Sequence, residues 1–322
     1  MGNEIVREKW TTDTLSRYVV GVDESGRGPV FGPLVYCGFF CDEGKYNEVL
    51  REMGVKDSKK VSESKRKEIH TKLLDEPGVG WVVSCFSSRE LSEAMFHHEK
   101  ENVNLLSYKI VGSIITKIWR RLNKPPSKVY LDIVGLEETY RKNITPYTGE
   151  AEVVIESDAD STYLPVSASS IIAKLVFDEE LQRLGDIYGG YTGRDRDEYQ
   201  GGAGEREGDD QYGSGVLSDE RTKKWLDTHY DALFGYPCEF VRLSWEPIVT
   251  LMKKNCFEVQ WFSDSTYRYS EEYFEKEKEQ KEKNRLKNKK NSERRKVKRA
   301  EEREIKEKEK PVSQFIIPPR QK

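Results

Sequence analysis

The sequence predicts an α/β fold with five strands, and three observations carry that expectation. Runs at 17–23, 32–41, 79–86, 128–132 and 151–155 are short and rich in β-branched and aromatic residues. Longer segments between them show helical spacing, clearest over 101–122, where Val103, Leu106, Ile110, Ile114 and Ile118 recur at steps of three and four. Several of the strands run straight into acidic residues, so their ends offer charge instead of apolar surface.

In the first strand an apolar body, Tyr18 to Val22, stops at the adjacent carboxylates Asp23 and Glu24. Successive side chains of a regular strand point to opposite faces, so these two can serve one site only where the strand ends and the backbone turns. Gly26, Arg27, Gly28 and Pro29 supply that turn. The glycines permit it and let backbone amides approach a ligand, and Arg27 adds a planar, permanently charged fork suited to phosphate. Taken without context, the same residues read equally well as a solvated acidic pair ahead of a Gly-Pro turn.

The strand at 32–41 places Cys37 and Cys41 on one face, as core residues. The polar loop at 55–60 carries Lys56, Lys59 and Lys60, which form either a solvated turn or a phosphate contact. Ser62 caps a helix that runs to about Glu76, and Ser88 caps a short helix through Met95. The helix at 101–122 stops before Pro125-Pro126, and the fourth strand ends on Asp132 before Gly135. The fifth strand leads into Glu156, Asp158 and Asp160. Helix is expected over 166–185, with Ile171, Ile172, Leu175 and Phe177 for packing. From Asp186 to Gly215 the chain is rich in Gly, Tyr, Asp and Arg without periodicity, a long loop with an insertion at about 186–211. A helix at about 218–230 and an apolar segment at 234–245 that covers the core complete the domain.

Length and charge bound the organisation. A domain over 1–255 followed by a charged extension over 256–322, helical or disordered, suits a chain of 322 residues of which 34% are charged. The five cysteines include no CxxC spacing, which fits free buried thiols in a reducing compartment. The four histidines offer no HxxxH pair for a metal. No apolar run approaches the roughly 18 residues of a membrane span, so a soluble protein with no membrane partner is expected. Residues 1–270 hold 35 basic and 45 acidic side chains, a net of −10 against +7 for the tail. A nucleic-acid enzyme with such a body must concentrate its positive field locally or borrow it from a tail or partner. The stretch 281–299, with 11 basic and two acidic residues, suits a nuclear-import signal or a non-specific nucleic-acid arm. The apolar island at 314–319 suits a docking peptide.

The carboxylates at the strand ends form the constellation that carries chemistry. If the ends of the first, fourth and fifth strands lie side by side, Asp23, Glu24, Asp132 and Asp160 converge. Such a cluster is electrostatically costly unless divalent cations occupy it, and two hard ions then clamp the attacking and leaving oxygens of a phosphodiester.

At this point the chain resembles the type 2 ribonucleases H, on the eukaryotic branch. The resemblance spans about residues 18–250 and rests on several blocks in order. These are the run from Gly21 to Pro29, Asp57-Ser58-Lys59, Leu131 to Gly135, Asp160 ahead of the run from Ser167 to Lys174, and Tyr212 to Gly215. Phe240 to Trp245 is similar to the eukaryotic branch in particular. The resemblance implies a ribonuclease H-like fold, a mixed five-stranded sheet flanked by helices, with a helical C-terminal extension. It implies hydrolysis of RNA paired to DNA and of ribonucleotides embedded in duplex DNA, leaving a 3′-hydroxyl and a 5′-phosphate, as in replication and ribonucleotide excision repair.

By the same resemblance Asp23, Glu24, Asp132 and Asp160 are the catalytic groups and hold Mg²⁺ or Mn²⁺, with two ions expected. Gly26, Arg27 and Gly28 read the ribose 2′-hydroxyl largely through backbone, the group that separates RNA from DNA. Lys59 and Lys174 contact phosphates, and two accessory subunits complete a heterotrimer in the nucleus. One position departs from the pattern: the family places a tyrosine right after Gly-Ser-Gly, and this chain has Val216. Tyr212 or Tyr191 is the candidate to replace it. Two other outcomes stay open, an assembly subunit with impaired catalysis and an enzyme restricted to longer RNA tracts.

Overall fold

The computed structural model describes residues 5–11, 13–44, 46–96, 102–188 and 212–257. In chain order these form β1 (Ile5–Lys9), β2 (Tyr18–Ser25), β3 (Leu34–Asp42), α1 (Tyr46–Glu52), α2 (Glu63–Asp75), β4 (Val79–Phe86), α3 (Ser88–Phe96) and α4 (Val103–Leu122). They continue with β5 (Lys128–Asp132), α5 (Glu137–Thr148), β6 (Glu152–Glu156), α6 (Ala159–Thr162), α7 (Leu164–Tyr188), α8 (Glu220–Thr228) and α9 (Glu246–Asn255). The basic stretch 281–299, the island at 314–319, Tyr191 and nearly all of the 186–211 insertion and the 256–322 extension lie outside the described residues.

The sheet is mixed and runs β1-β4-β3-β2-β5-β6. The β1–β4, β4–β3 and β3–β2 pairs are antiparallel, whereas β2–β5 and β5–β6 are parallel. It has one strand more than the five expected. The extra one, β1, alternates charge in Arg7, Glu8 and Lys9, which conceals strand character in the sequence. Its charges are used: Arg7 binds Glu180 of α7 at 2.7 Å, and Glu8 binds Lys117 of α4 at 2.7 Å. At the edge of a sheet such side chains also discourage pairing with another chain.

Each face of the sheet carries its own core. Val19, Val35, Cys37, Phe39 and Cys41 pack with α2 and α7, and Tyr18, Val20, Val22, Leu34, Tyr36 and Phe40 pack with α4 and α5. The expected shared face of Cys37 and Cys41 is found, and both thiols are free and buried. Apolar contacts alone do not seat α7: Ser169 donates to Gly21 O at 2.7 Å and accepts from Phe39 N at 3.1 Å, which fixes the helix against β2 and β3. A third cluster, built on Phe31, Trp225, Phe240 and Val241, joins the segment after β2 to the C-terminal part of the domain. The apolar segment 234–245 therefore works as core, as its composition predicts.

Helix boundaries follow local signals where these exist. Ser62 caps α2 by accepting from Lys65 N, and Asn102 caps α4 by accepting from Leu105 N. Helices α1, α5 and α9 have weaker signals, and α5 even contains Pro146. No helix among the described residues is long and apolar enough to cross a membrane.

Candidate active site

Strand order brings the carboxylates to one sheet edge. In the parallel pair of β2 with β5, Val22 lies opposite Leu131, so both strands deliver their next residues, Asp23 and Asp132, at the same end. Strand alternation then divides the acidic pair. Asp23, on the face of Val19, turns to the α7 side, and Glu24, on the face of Val20 and Val22, turns to the α4 side, where its charge acts on Arg27 and Tyr36. The backbone amide of Glu24 also donates to Asp23 Oδ1 at 2.7 Å.

The third arm comes from the short helix after β6. Asp132 Oδ1 accepts from Ala159 N at 3.0 Å, which ties the end of β5 to the first turn of α6 and so places Asp160. Ser167 of α7 donates to the backbone carbonyl of Asp160 at 2.5 Å and holds the turn from the other side. The structure brings the four carboxylates singled out in the sequence to one edge.

Electrostatics shows what this edge lacks. Burial, with repulsion from Glu24 and Asp132, pushes Asp23 well above the usual carboxylate range. Burial also pushes Glu24 up to about 7, opposed by the Arg27 guanidinium and reinforced by Asp132. Asp132 and Asp160 are raised as well, burial being the main cause in both. Lys59, whose ammonium lies 3.6 Å from Asp160 Oδ2, is too distant for a hydrogen bond, and that oxygen is buried without a hydrogen-bond partner.

An orphaned carboxylate oxygen, in a site whose acids are driven toward their neutral forms, fits a hard cation. Among the described residues no three His, Cys, Asp or Glu side chains are already gathered as a closed ligand set.

The Gly26-Arg27-Gly28 turn is held from beneath by Arg242, a member of the block Phe240 to Trp245. Arg242 is fully buried, and its guanidinium donates to the carbonyls of Gly26, Arg27, Gly32 and Pro33, at 2.5 Å for Pro33 and 2.8 Å for Gly32. Carbonyl and following amide of a trans peptide point in opposite directions, so the amides of Arg27 and Gly28 are turned away from Arg242. The sequence marks Arg242 as a member of that block and as an arginine inside an apolar run, and neither tells what it holds.

Side chains in the turn divide by role. Gly26 has φ +81°, and a Cβ there would lie 2.5 Å from Phe177 and from Pro33 O. A Cβ at Gly28 would meet nothing within 4 Å, so its surroundings are open. We therefore expect Gly28→Ala to melt within a degree or two of the natural protein yet cleave hybrid at least about tenfold more slowly, the ribose approach being blocked. Cleavage at the natural rate would show that the open space is not used.

Two expected roles are corrected or narrowed. The side chain of Arg27 is not a free phosphate fork. It donates to Ser107 Oγ at 3.0 Å, to Tyr36 at 3.3 Å and to Asn104 Oδ1, and so belongs to the wall beside Glu24. Tyr212 is not presented to a ligand: its ring packs edge-on to Phe31 and Phe240, and its hydroxyl points to Leu181 O at 3.5 Å. Tyr212 is committed to the third core, where aromatic packing outweighs exposure. Val216, beyond Gly215, is 42% exposed, with no aromatic ring in its place.

Lys59 and Lys174 keep positions compatible with phosphate. Lys59 sits on the single turn Ser58–Lys60, whose start is fixed by Asp57 accepting from Lys59 N at 2.9 Å, and its side chain is 76% exposed. Lys174 lies one turn after Ser170 on α7, paired with Asp178 at 2.6 Å and set over the Phe177 ring.

Comparison with known proteins agrees with this geometry. The family model for ribonuclease HII matches residues 20–248. The chain is 34% identical over 245 residues to a ribonuclease H2 subunit of Rattus norvegicus, covering 76% of this chain and 75% of that protein. It is 34% identical over 250 residues to the Homo sapiens protein of the same name, with 76% and 75% covered. Among solved structures, the ribonuclease H2 of Pyrococcus horikoshii superposes with a TM-score of 0.58 at 32% identity, over 74% of this chain and 98% of that one.

Proposed function

The chain belongs to the ribonuclease HII family and is an endoribonuclease acting on RNA/DNA hybrids, and from that premise we propose that Asp23, Glu24, Asp132 and Asp160 are its catalytic groups and hold a pair of divalent cations, Mg²⁺ or Mn²⁺. The observation that carries this is the meeting of four carboxylates, all raised by burial, at one edge where Asp160 Oδ2 is buried without a hydrogen bond. When bound, such cations would offset the charge of the phosphodiester and lower the pKa of water so that hydroxide becomes available near neutral pH. The protein's own groups do the rest. Asp132 is oriented by Ala159 N, Asp160 by the α6–α7 turn, and Lys59 stands at the rim to meet a phosphate. The amides of Arg27 and Gly28, turned outward by Arg242, recognise the 2′-hydroxyl, and the products carry a 3′-hydroxyl and a 5′-phosphate.

A restriction to longer RNA tracts is favoured by one feature, the lack of an aromatic ring at Val216 together with the packed position of Tyr212. Stacking on an aromatic side chain contributes about 1–3 kcal/mol per base. A continuous hybrid offers many other contacts and an isolated ribonucleotide few. Metal-dependent cleavage of the two duplexes tests both readings: the natural protein should prefer the continuous hybrid, and Val216→Tyr should raise cleavage at a single ribonucleotide about tenfold. No metal-dependent cleavage of either duplex would overturn the assignment of the carboxylates. Efficient cleavage at a single ribonucleotide, unchanged by Val216→Tyr, would overturn the restriction.

The acidic body, net −10 over residues 1–270, makes help in holding nucleic acid physically sensible. We propose two accessory subunits in a heterotrimer, a nuclear location directed by 281–299, and a part in DNA replication and in removing ribonucleotides from DNA. The mass of the native complex, and the distribution of a chain lacking 281–299, test the first two.

A further inference from the structure

We propose that Asp57 is a positioning residue for two groups at once: it joins the turn that carries Lys59 to the short helix that carries Asp160, and so sets a phosphate contact beside a cation ligand. The inference deepens the reading of the site given above and rests on it.

One buried carboxylate is bonded to segments 104 positions apart. Asp57 Oδ1 accepts from Lys59 N at 2.9 Å, which starts the turn Ser58–Lys60. Asp57 Oδ2 accepts from the hydroxyl of Ser161, the residue after Asp160, at 3.1 Å. Lys60 closes the same junction, its ammonium 3.0 Å from Asp57 Oδ2 and 3.4 Å from Ser161 Oγ. Burial opposes the charge on Asp57, yet the Lys59 amide, Lys60 and Ser161 hold it below the usual carboxylate range. It therefore accepts both bonds as an anion near neutral pH.

Helix α6 needs a hold from outside. Its four residues make a single turn, too short to be stable alone. The chain enters it through Asp158 in the left-handed region, φ +58°, and the Asp158 side chain provides no cap. Asp132 of β5 holds Ala159 N, and Ser167 of α7 holds the Asp160 carbonyl. Asp57 adds a third tie, from the side on which Lys59 stands.

Across this junction the Lys59 ammonium lies 3.6 Å from Asp160 Oδ2, the oxygen buried without a hydrogen-bond partner. An exposed lysine has many rotamers, so its side chain alone does not keep that spacing. The joined backbones do. Lysines make this turn conspicuous in the sequence, and the aspartate ahead of them does the joining.

Two readouts test the proposal on the full chain: Mn²⁺ affinity by calorimetry without nucleic acid, and KM against kcat for hybrid cleavage at saturating Mn²⁺. Asp57→Ala loses both ties, so Mn²⁺ affinity should fall and KM should rise, each about fivefold, the usual worth of one hydrogen bond, with kcat little changed. Ser161→Ala loses only the link to α6 and should weaken Mn²⁺ binding alone. Lys59→Ala should raise KM without weakening Mn²⁺ binding. Asp57→Asn should restore both readouts, since its oxygen can accept from Lys59 N while its amide donates to Ser161 Oγ. The double variant of Asp57→Ala with Ser161→Ala should bind Mn²⁺ no more weakly than Asp57→Ala, because both changes break one link. If Asp57→Ala does not fold, Asp57→Ser, which still caps the turn but is too short for Ser161, must show the Mn²⁺ loss instead.

A folded Asp57→Ala in which either readout keeps its natural value, or fully additive losses in the double variant, would overturn the joining role and leave the carboxylate assignment standing. If the natural chain neither binds Mn²⁺ nor cleaves hybrid, the assignment and this inference fall together.

Discussion

Asp132→Asn should lower hybrid cleavage by at least about 10³-fold while leaving the protein folded, since a lost cation ligand removes several kcal/mol of transition-state stabilisation. Fold is preserved because an amide oxygen can still accept from Ala159 N, the contact that joins β5 to α6. Removing a charge from a repelling cluster also lowers the strain felt by Asp23 and Glu24. Single-turnover cleavage, hybrid binding and melting of the metal-free protein check the three parts, and turnover within tenfold of natural would sink the assignment.

The same repulsion fixes a pH dependence. The folded-state carboxyls titrate above their unfolded values, Glu24 at about 7, so protonation favours the folded form. That stability is fully present below the ordinary carboxylate value of about 4.5 and is lost as pH rises through about 7. Metal-free protein should therefore melt higher at pH 5.5 than at pH 8. Asp132→Asn should narrow the difference, and cleavage, which needs ionised ligands, should change in the opposite sense with pH.

Arg242→Met should cost roughly 3–5 kcal/mol of stability, because the carbonyls it serves are left buried without donors. Burial pushes this guanidinium down to about 9, and its partners are the four carbonyls and the face of Trp245, 4.9 Å away. Methionine matches the length of the stem and supplies none of the hydrogen bonds. Below the melting transition the variant should still cleave poorly, because Gly26 and Arg27 are no longer held with their amides outward. A urea midpoint equal to that of the natural chain would show that the carbonyls find other donors.

What was legible in the sequence depended on whether a residue's role was local. Strand β2 and its acidic end could be read because apolar alternation and a glycine turn sit side by side in the chain. The joining of Asp23 to Asp132 and Asp160 needed strand order, which spacing does not give, and the resemblance to a family supplied it. Strand β1 was missed because its partners for Arg7 and Glu8 lie in α7 and α4, far along the chain. Arg27 misled for a related reason: a guanidinium suits phosphate, yet Asn104, Ser107 and Tyr36 reach it first. Tyr212 was a candidate because it lies near the position where the family has its tyrosine, and its ring packs into the third core. Arg242 acts through contacts across the fold, so its hold on the turn shows in no local pattern.

The stitching of residues 30–32 to the C-terminal part of the domain has a consequence for synthesis. Val30 N donates to Gly215 O at 2.7 Å, Gly32 N to Phe240 O at 2.9 Å and Arg242 N to Val30 O at 2.9 Å. These links close loops of roughly 200 residues, which form late because chain entropy must be lost before the contact is gained. A ribosome-bound chain that has not yet released residue 242 carries all four carboxylates and lacks the clamp on the turn beside them. Order in the turn therefore waits for Arg242, long after the four carboxylates have been made.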